Sequence, residues 1–91
     1  MESGQIATEI MKYMFKRLDF CITEFEELRK TKDRNIANEL INETYMQWES
    51  SYSIGLALLF DNIEIRQVFQ ECFKSISRKI DEMYKEIGKW E

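Results

Sequence analysis

Apolar residues recur at alternating steps of four and three over the first third of the chain: Ala7, Met11, Met14, Leu18, Cys21, Phe25 and Leu28. That spacing is a heptad seam, the mark of a helix packed along one stripe. Phe15 and Ile22 widen it on one side, and it predicts a first helix over about 5–30 with Ser3 as candidate N-cap. Residues 29–34 are polar throughout and predict a connection, with Thr31 or Asp33 as the cap of the next helix. That second helix is predicted over about 34–60. Ile36, Ala37, Leu40, Ile41, Tyr45, Trp48 and Tyr52 share one face of it, and it ends in an apolar run at 54–60. A helix apolar on all sides is expected to be buried on all sides. Ser50, Ser51, Ser53, Gly55 and Ala57 are small enough to admit the close approach of another helix. Asp61 and Asn62 predict a turn, and Asp61 stands three residues before Glu64, as in a capping box.

The third predicted helix, about 63–88, carries Ile65, Val68, Phe69, Cys72, Phe73, Ile76, Ile80, Met83, Tyr84, Ile87 and Trp90. They fill a normal amphipathic arc of roughly 160°, and Gly88 suits a C-terminal cap. No proline interrupts any segment. Helices of about 25 residues are about 38 Å long, and short links make neighbours antiparallel. The expected fold is therefore an all-α, antiparallel three-helix bundle forming a single domain over 1–91.

The first helix carries more apolar surface than its seam requires. It adds Ile6, Ile10, Tyr13 and Phe20, of which Ile6, Tyr13 and Phe20 fall seven apart on a second stripe, and the two stripes together span roughly 220°. A helix with two neighbours leaves about half its circumference wet, so the bundle is expected to associate further through helix one. The partner is either itself, as a homodimer or higher oligomer, or another protein. The expected interface comprises Ile6, Ile10, Tyr13, Arg17, Phe20, Glu24, Trp48, Ser51, Tyr52, Gly55, Leu56 and Phe60. Its aromatic members are the candidate hot spots. If two first helices cross antiparallel near Phe20, Arg17 of one approaches Glu24 of the other, reciprocally about a two-fold axis.

Composition narrows the chemistry. The chain has 91 residues, 13 basic and 17 acidic, a net charge of −4, no histidine and two cysteines. Without histidine the usual general base and the commonest metal ligand are missing. Two cysteines cannot complete a four-ligand zinc site. No metal, cofactor or catalytic residue is expected. Cys21 and Cys72 read as small core residues, with a redox pair as the alternative. Most carboxylates fall on solvated faces among lysines and arginines, Arg78 and Glu82 being spaced as an i,i+4 pair. The cluster Arg29, Lys30, Lys32 and Arg34 has the charge to touch phosphates. It also suits a helix C-terminus, and the acidic balance does not favour nucleic acid. The apolar run at 54–60 is too short to span a membrane, and Met1-Glu2-Ser3-Gly4 opens no signal peptide. The expected location is a cytoplasm, bacterial, viral-host or other.

Non-enzymatic protein–protein interaction is the function these features favour, with the chain as a regulator, inhibitor or assembly subunit. Two resemblances give alternatives. In length, and in Trp48-Glu49-Ser50, the chain resembles the WXG100 family of type VII secretion substrates. That resemblance implies an exported hairpin with its turn at Trp48. Ser50 stands where the family has glycine, and Gly88 where its C-terminal acid follows a tyrosine, here Tyr84. In length and helix count the chain is also similar to helical chorismate mutases. That likeness implies arginines and a lysine clamping a dicarboxylate, and here Arg17 and Lys79 approach apolar arcs.

Overall fold

The computed structural model describes residues 2–90. It is an all-α three-helix bundle: α1 (Ser3–Thr31), α2 (Arg34–Leu58) and α3 (Ile63–Ile87). Among the described residues there is no β-strand. Tyr13 on α1 bonds Gln47 on α2, and Trp48 on α2 bonds Phe73 on α3. At the far end Arg29 meets Glu86. These pairs set α2 antiparallel to both neighbours and α1 parallel to α3, in a rod of 47 × 18 × 15 Å.

Local chemistry fixes the helix ends. α1 starts one residue earlier than a Ser3 cap implies. Glu2 is the N-cap, its backbone N–H donating to Gln5 Oε1 at 3.2 Å, and Ser3 is the first helical residue. The α1–α2 turn has no glycine because Lys32 takes the left-handed conformation (φ 54°), its N–H donating to Leu28 O at 2.7 Å. Such a conformation costs a lysine roughly 1–2 kcal/mol. Asp33 offsets part of this by capping α2, its Oδ1 accepting from the Ile36 N–H at 3.1 Å. At the second turn Asn62, not Asp61, is the cap, its Oδ1 accepting from the Ile65 N–H at 3.1 Å.

One core runs the length of the rod. α1 gives it Ala7, Met14, Leu18, Cys21 and Phe25; α2 gives Ala37, Ile41, Thr44, Ser51 and Gly55. Phe69, Phe73, Ile76, Ile80, Met83 and Ile87 come from α3, with Leu59 and Trp90 from beyond the helix ends. Trp90 closes the base by stacking on Phe25, with ring centroids 5.3 Å apart. The buried Thr44 hydroxyl is satisfied by donating to Leu40 O at 2.9 Å.

The end of α2 departs from the expectation of burial on all sides. Gly55 and Leu59 are buried, but Ile54, Leu58 and Phe60 are 55%, 54% and 70% exposed. Three helices give each member only two neighbours, so the side of α2 turned away from both has nothing to cover it. Phe15, Ile36 and Val68, expected on inward faces, are exposed for the same reason.

Candidate functional site

Ser51 and Gly55, expected on an interface, are buried inside the chain. Gly55 admits a close approach, but the visitor is the Phe69 ring of the same bundle. A Cβ built on Gly55 would overlap three ring atoms of Phe69. The small residue therefore serves α2–α3 packing, not a partner.

Trp48, Tyr52 and Leu56 are half-buried and packed against the core. They lie on the α3 side of α2, away from the surplus stripe of α1. Tyr45, Trp48 and Tyr52 stack in sequence at 5.7 and 5.0 Å, and Tyr52 stacks on Phe73 at 5.5 Å. The Trp48 indole Nε1–H donates to the Phe73 carbonyl at 2.7 Å, crossing from one helix to the next. Asn42 accepts from the Tyr84 hydroxyl on the same side. This ladder holds α2 to α3, and it occupies the faces of two of the candidate hot spots.

The remaining candidates gather on the outer face of α1 and α2. Tyr13 is 46% and Phe20 52% exposed, and Ile6 and Ile10 are half-buried beside them. The Tyr13 hydroxyl donates to Gln47 Oε1 at 2.7 Å, which pins α1 and α2 in register. A shallow groove of about 390 Å3 lies between the helices, lined by Glu9, Ile10, Tyr13, Gln47, Ser50 and Ile54, with buried Ser51 as part of its wall. Ile54 and Leu58 extend this face; they belong to the apolar run at 54–60, although the expected interface named only Gly55, Leu56 and Phe60 from it. Their signal was present: once Gln47 is set against α1, steps of seven and four reach Ile54 and Leu58 on the same edge. Phe60 lies apart, at the α2–α3 turn, with Arg66 over its ring at 6.0 Å.

Arg17 is half-buried over the Phe20 ring at 5.7 Å. Its Nε is out of contact with solvent and has no hydrogen-bond partner. Glu24 is exposed. Among the described residues, neither Arg17 nor Glu24 has an ion-pair partner.

Among the described residues, five ion pairs engage ten of the other charges. Arg29 forms a two-pronged pair with Glu86 at 2.7 and 2.8 Å, while Lys30 pairs with Glu27 at 3.1 Å. Hydrogen bonding from Arg29 holds the Glu86 carboxyl below the usual glutamate range. The basic cluster is thus partly neutralised by its own bundle. Glu82 faces Lys79 at 3.7 Å instead of the expected Arg78. Lys79 and Arg29 share a cleft between α1 and α3 with Glu26, Glu82 and Glu86, whereas Arg17 lies toward α2. The fold does not unite Arg17 and Lys79, and the cations of the cleft already have carboxylates for neighbours.

Both cysteines are free. Burial pushes the Cys21 thiol up, against smaller opposing effects of Thr44 and Arg17. Cys72 is half-buried, not a full core residue, and burial pushes it up as well. Among the described residues no group of three potential metal ligands occurs, and no helix is long and apolar enough to cross a membrane. The hairpin reading fails on geometry: α2 runs unbroken through Trp48, and the chain turns at Lys32 and Asp33 instead.

The chain matches no protein-family model, no curated protein and no solved structure.

Proposed function

We propose that the protein is a non-enzymatic interaction module that docks the outer α1–α2 face on another polypeptide. One observation carries this reading. Tyr13, Phe20, Ile54 and Leu58 are each about half exposed, and helical spacing sets them along the outer edges of α1 and α2, uncovered among the described residues. Contiguous apolar surface of several hundred Å2 is at or above the largest patch usual on a monomer. This face also has the anatomy of an interface, with aromatic anchors beside a groove and charges at the rim.

Site-specific photo-crosslinking tests this. A crosslinking side chain at Tyr13 or Ile54 is expected to give adducts with a defined polypeptide, identified by mass, in extracts of the producing cell. The same group at Glu71, exposed on the outer side of α3, is expected to give none. Equal labelling at all three positions, or none at any, would remove the docking reading.

A further inference from the structure

We infer that the polypeptide covering this face is a second copy of the chain, related by a two-fold axis parallel to the helices, so that α1 of each copy lies antiparallel on α2 of the other. The inference rests on the docking reading and adds the identity and orientation of the partner.

Charge selects the occupant. From 35 to 65 the chain has no lysine or arginine, but it has Glu39, Glu43, Glu49, Asp61 and Glu64. Glu39 and Glu43 are exposed on the part of α2 that borders the open face. On α1, Lys12 already pairs with Glu9 at 3.8 Å, while half-buried Arg17 has no ion-pair partner among the described residues. The α2 edge is thus acidic, whereas α1 presents Arg17 between Glu9 and Glu24. A complementary partner must set a carboxylate over Arg17 and a cation with apolar side chains over the acidic edge of α2. The chain itself carries that pair.

The same pattern selects the axis. A two-fold axis perpendicular to the helices stacks α2 antiparallel on its own copy and sets this acidic stretch, which has no lysine or arginine, against itself. Like charges so placed oppose association. An axis parallel to the helices sets α1 over α2 and preserves height along the rod. The Tyr13–Gln47 bond fixes those heights. One turn on, at equal rise per residue, Arg17 is level with Glu43; in the other direction Ile10 is level with Ser50 and Ile6 with Ile54. Arg17 of one copy then meets Glu43 of the other, replacing the Arg17–Glu24 pairing that spacing alone suggested. Neither Arg17 nor Glu43 has an ion-pair partner among the described residues. Arg17 also holds a shielded, unbonded Nε.

The area is sufficient. Tyr13, Phe20, Ile36, Ile54 and Leu58 are each about half exposed. At about 200 Å2 per large side chain, they offer on the order of 500 Å2 per copy. Two copies bury about 1,000 Å2 from these residues alone, the lower bound for a specific interface.

Sedimentation equilibrium of the full chain, from micromolar to millimolar, provides the test. The mass is expected to rise from 11.0 kDa toward twice that value. Arg17→Glu and Glu43→Arg are each expected to weaken the dimer by about tenfold or more, and the double variant to recover most of the loss. Circular dichroism checks the fold, and Glu43→Arg, at an exposed position, keeps the test open if Arg17→Glu does not fold. Recovery by Glu24→Arg in place of Glu43→Arg would overturn the parallel axis. A wild-type chain that stays at 11.0 kDa throughout overturns self-pairing. In that case foreign adducts at Tyr13 and Ile54 would leave the docking reading standing, and their absence would remove both.

Discussion

Toward α3, α2 presents Tyr45, Trp48, Tyr52 and Leu56; toward α1 and solvent it presents Ile36, Gln47, Ile54 and Leu58. The first edge is closed within the chain. Four rings interlock across it, and the Trp48 indole reaches a helix carbonyl. The second edge carries one cross-helix hydrogen bond, Tyr13 to Gln47, and leaves its large side chains about half wet. Apolar content therefore does not separate core from interface. What separates them is whether the facing helix supplies side chains that reach. Phe69 and Phe73 reach from α3, whereas the inward α1 residues, such as Ala7 and Cys21, fill the core and leave the rim uncovered.

The largest expected effect tests this contrast directly. Phe73→Ala, at a fully buried position, is expected to cost about 3–5 kcal/mol. Phe20→Ser, with the same ring removed from the open edge, is expected to move monomer stability by no more than about 0.5 kcal/mol. Urea denaturation at low protein concentration measures both, and similar losses would show that the two edges are energetically alike. Gly55→Ala comes next. Overpacking against the buried Phe69 ring costs about 1–3 kcal/mol, set against about 1 kcal/mol of improved helix propensity. A net loss of up to about 2 kcal/mol is expected in the same assay; a gain would mean that Phe69 yields easily.

Trp48→Phe keeps a ring on the closed edge but deletes its donor to Phe73 O. A loss of about 1 kcal/mol is expected, with a reduced near-ultraviolet dichroism signal from the ladder. The smallest effect lies away from both edges, at Arg29–Glu86. Because the folded-state acidity of Glu86 is shifted below its unfolded value, its stabilisation is present above the unfolded value, near pH 4.3, and is lost as pH falls through the folded value. Both partners are partly exposed, with side chains 49% and 34% accessible, so the pair is worth at most about 1 kcal/mol. Glu86→Gln is expected to lower stability slightly at pH 7 and to flatten the acid limb of the stability profile. An unchanged acid limb would show that the pair does not contribute.

Helix count, order and approximate ends were legible in the sequence, as was the α1 seam. Ala7, Met14, Leu18, Cys21 and Phe25 all lie in the core, while Met11 and Leu28 are half-buried at its margin. The caps were less legible. Asn62 and Asp61 have similar capping chemistry, and only the backbone path decides which side chain reaches an N–H three residues on. The face of α1 bearing Tyr13 and Phe20 was visible as surplus apolar surface, but Gly55 and Trp48 were not separable from it. A glycine that receives a partner and a glycine that receives a ring of its own chain look the same in one dimension. So do a tryptophan awaiting a partner and one already stacked.

Periodicity is a property of near neighbours, so three amphipathic rods, their polar turns and one over-apolar helix follow from the order of residues alone. Which apolar side chains are sealed depends on distant segments: where Phe69 falls against Gly55, where Phe73 receives Trp48, and where no helix stands opposite Tyr13 and Ile54. Burial is set by what lies across a gap in space, and each helix of the bundle has only two neighbours to lie there.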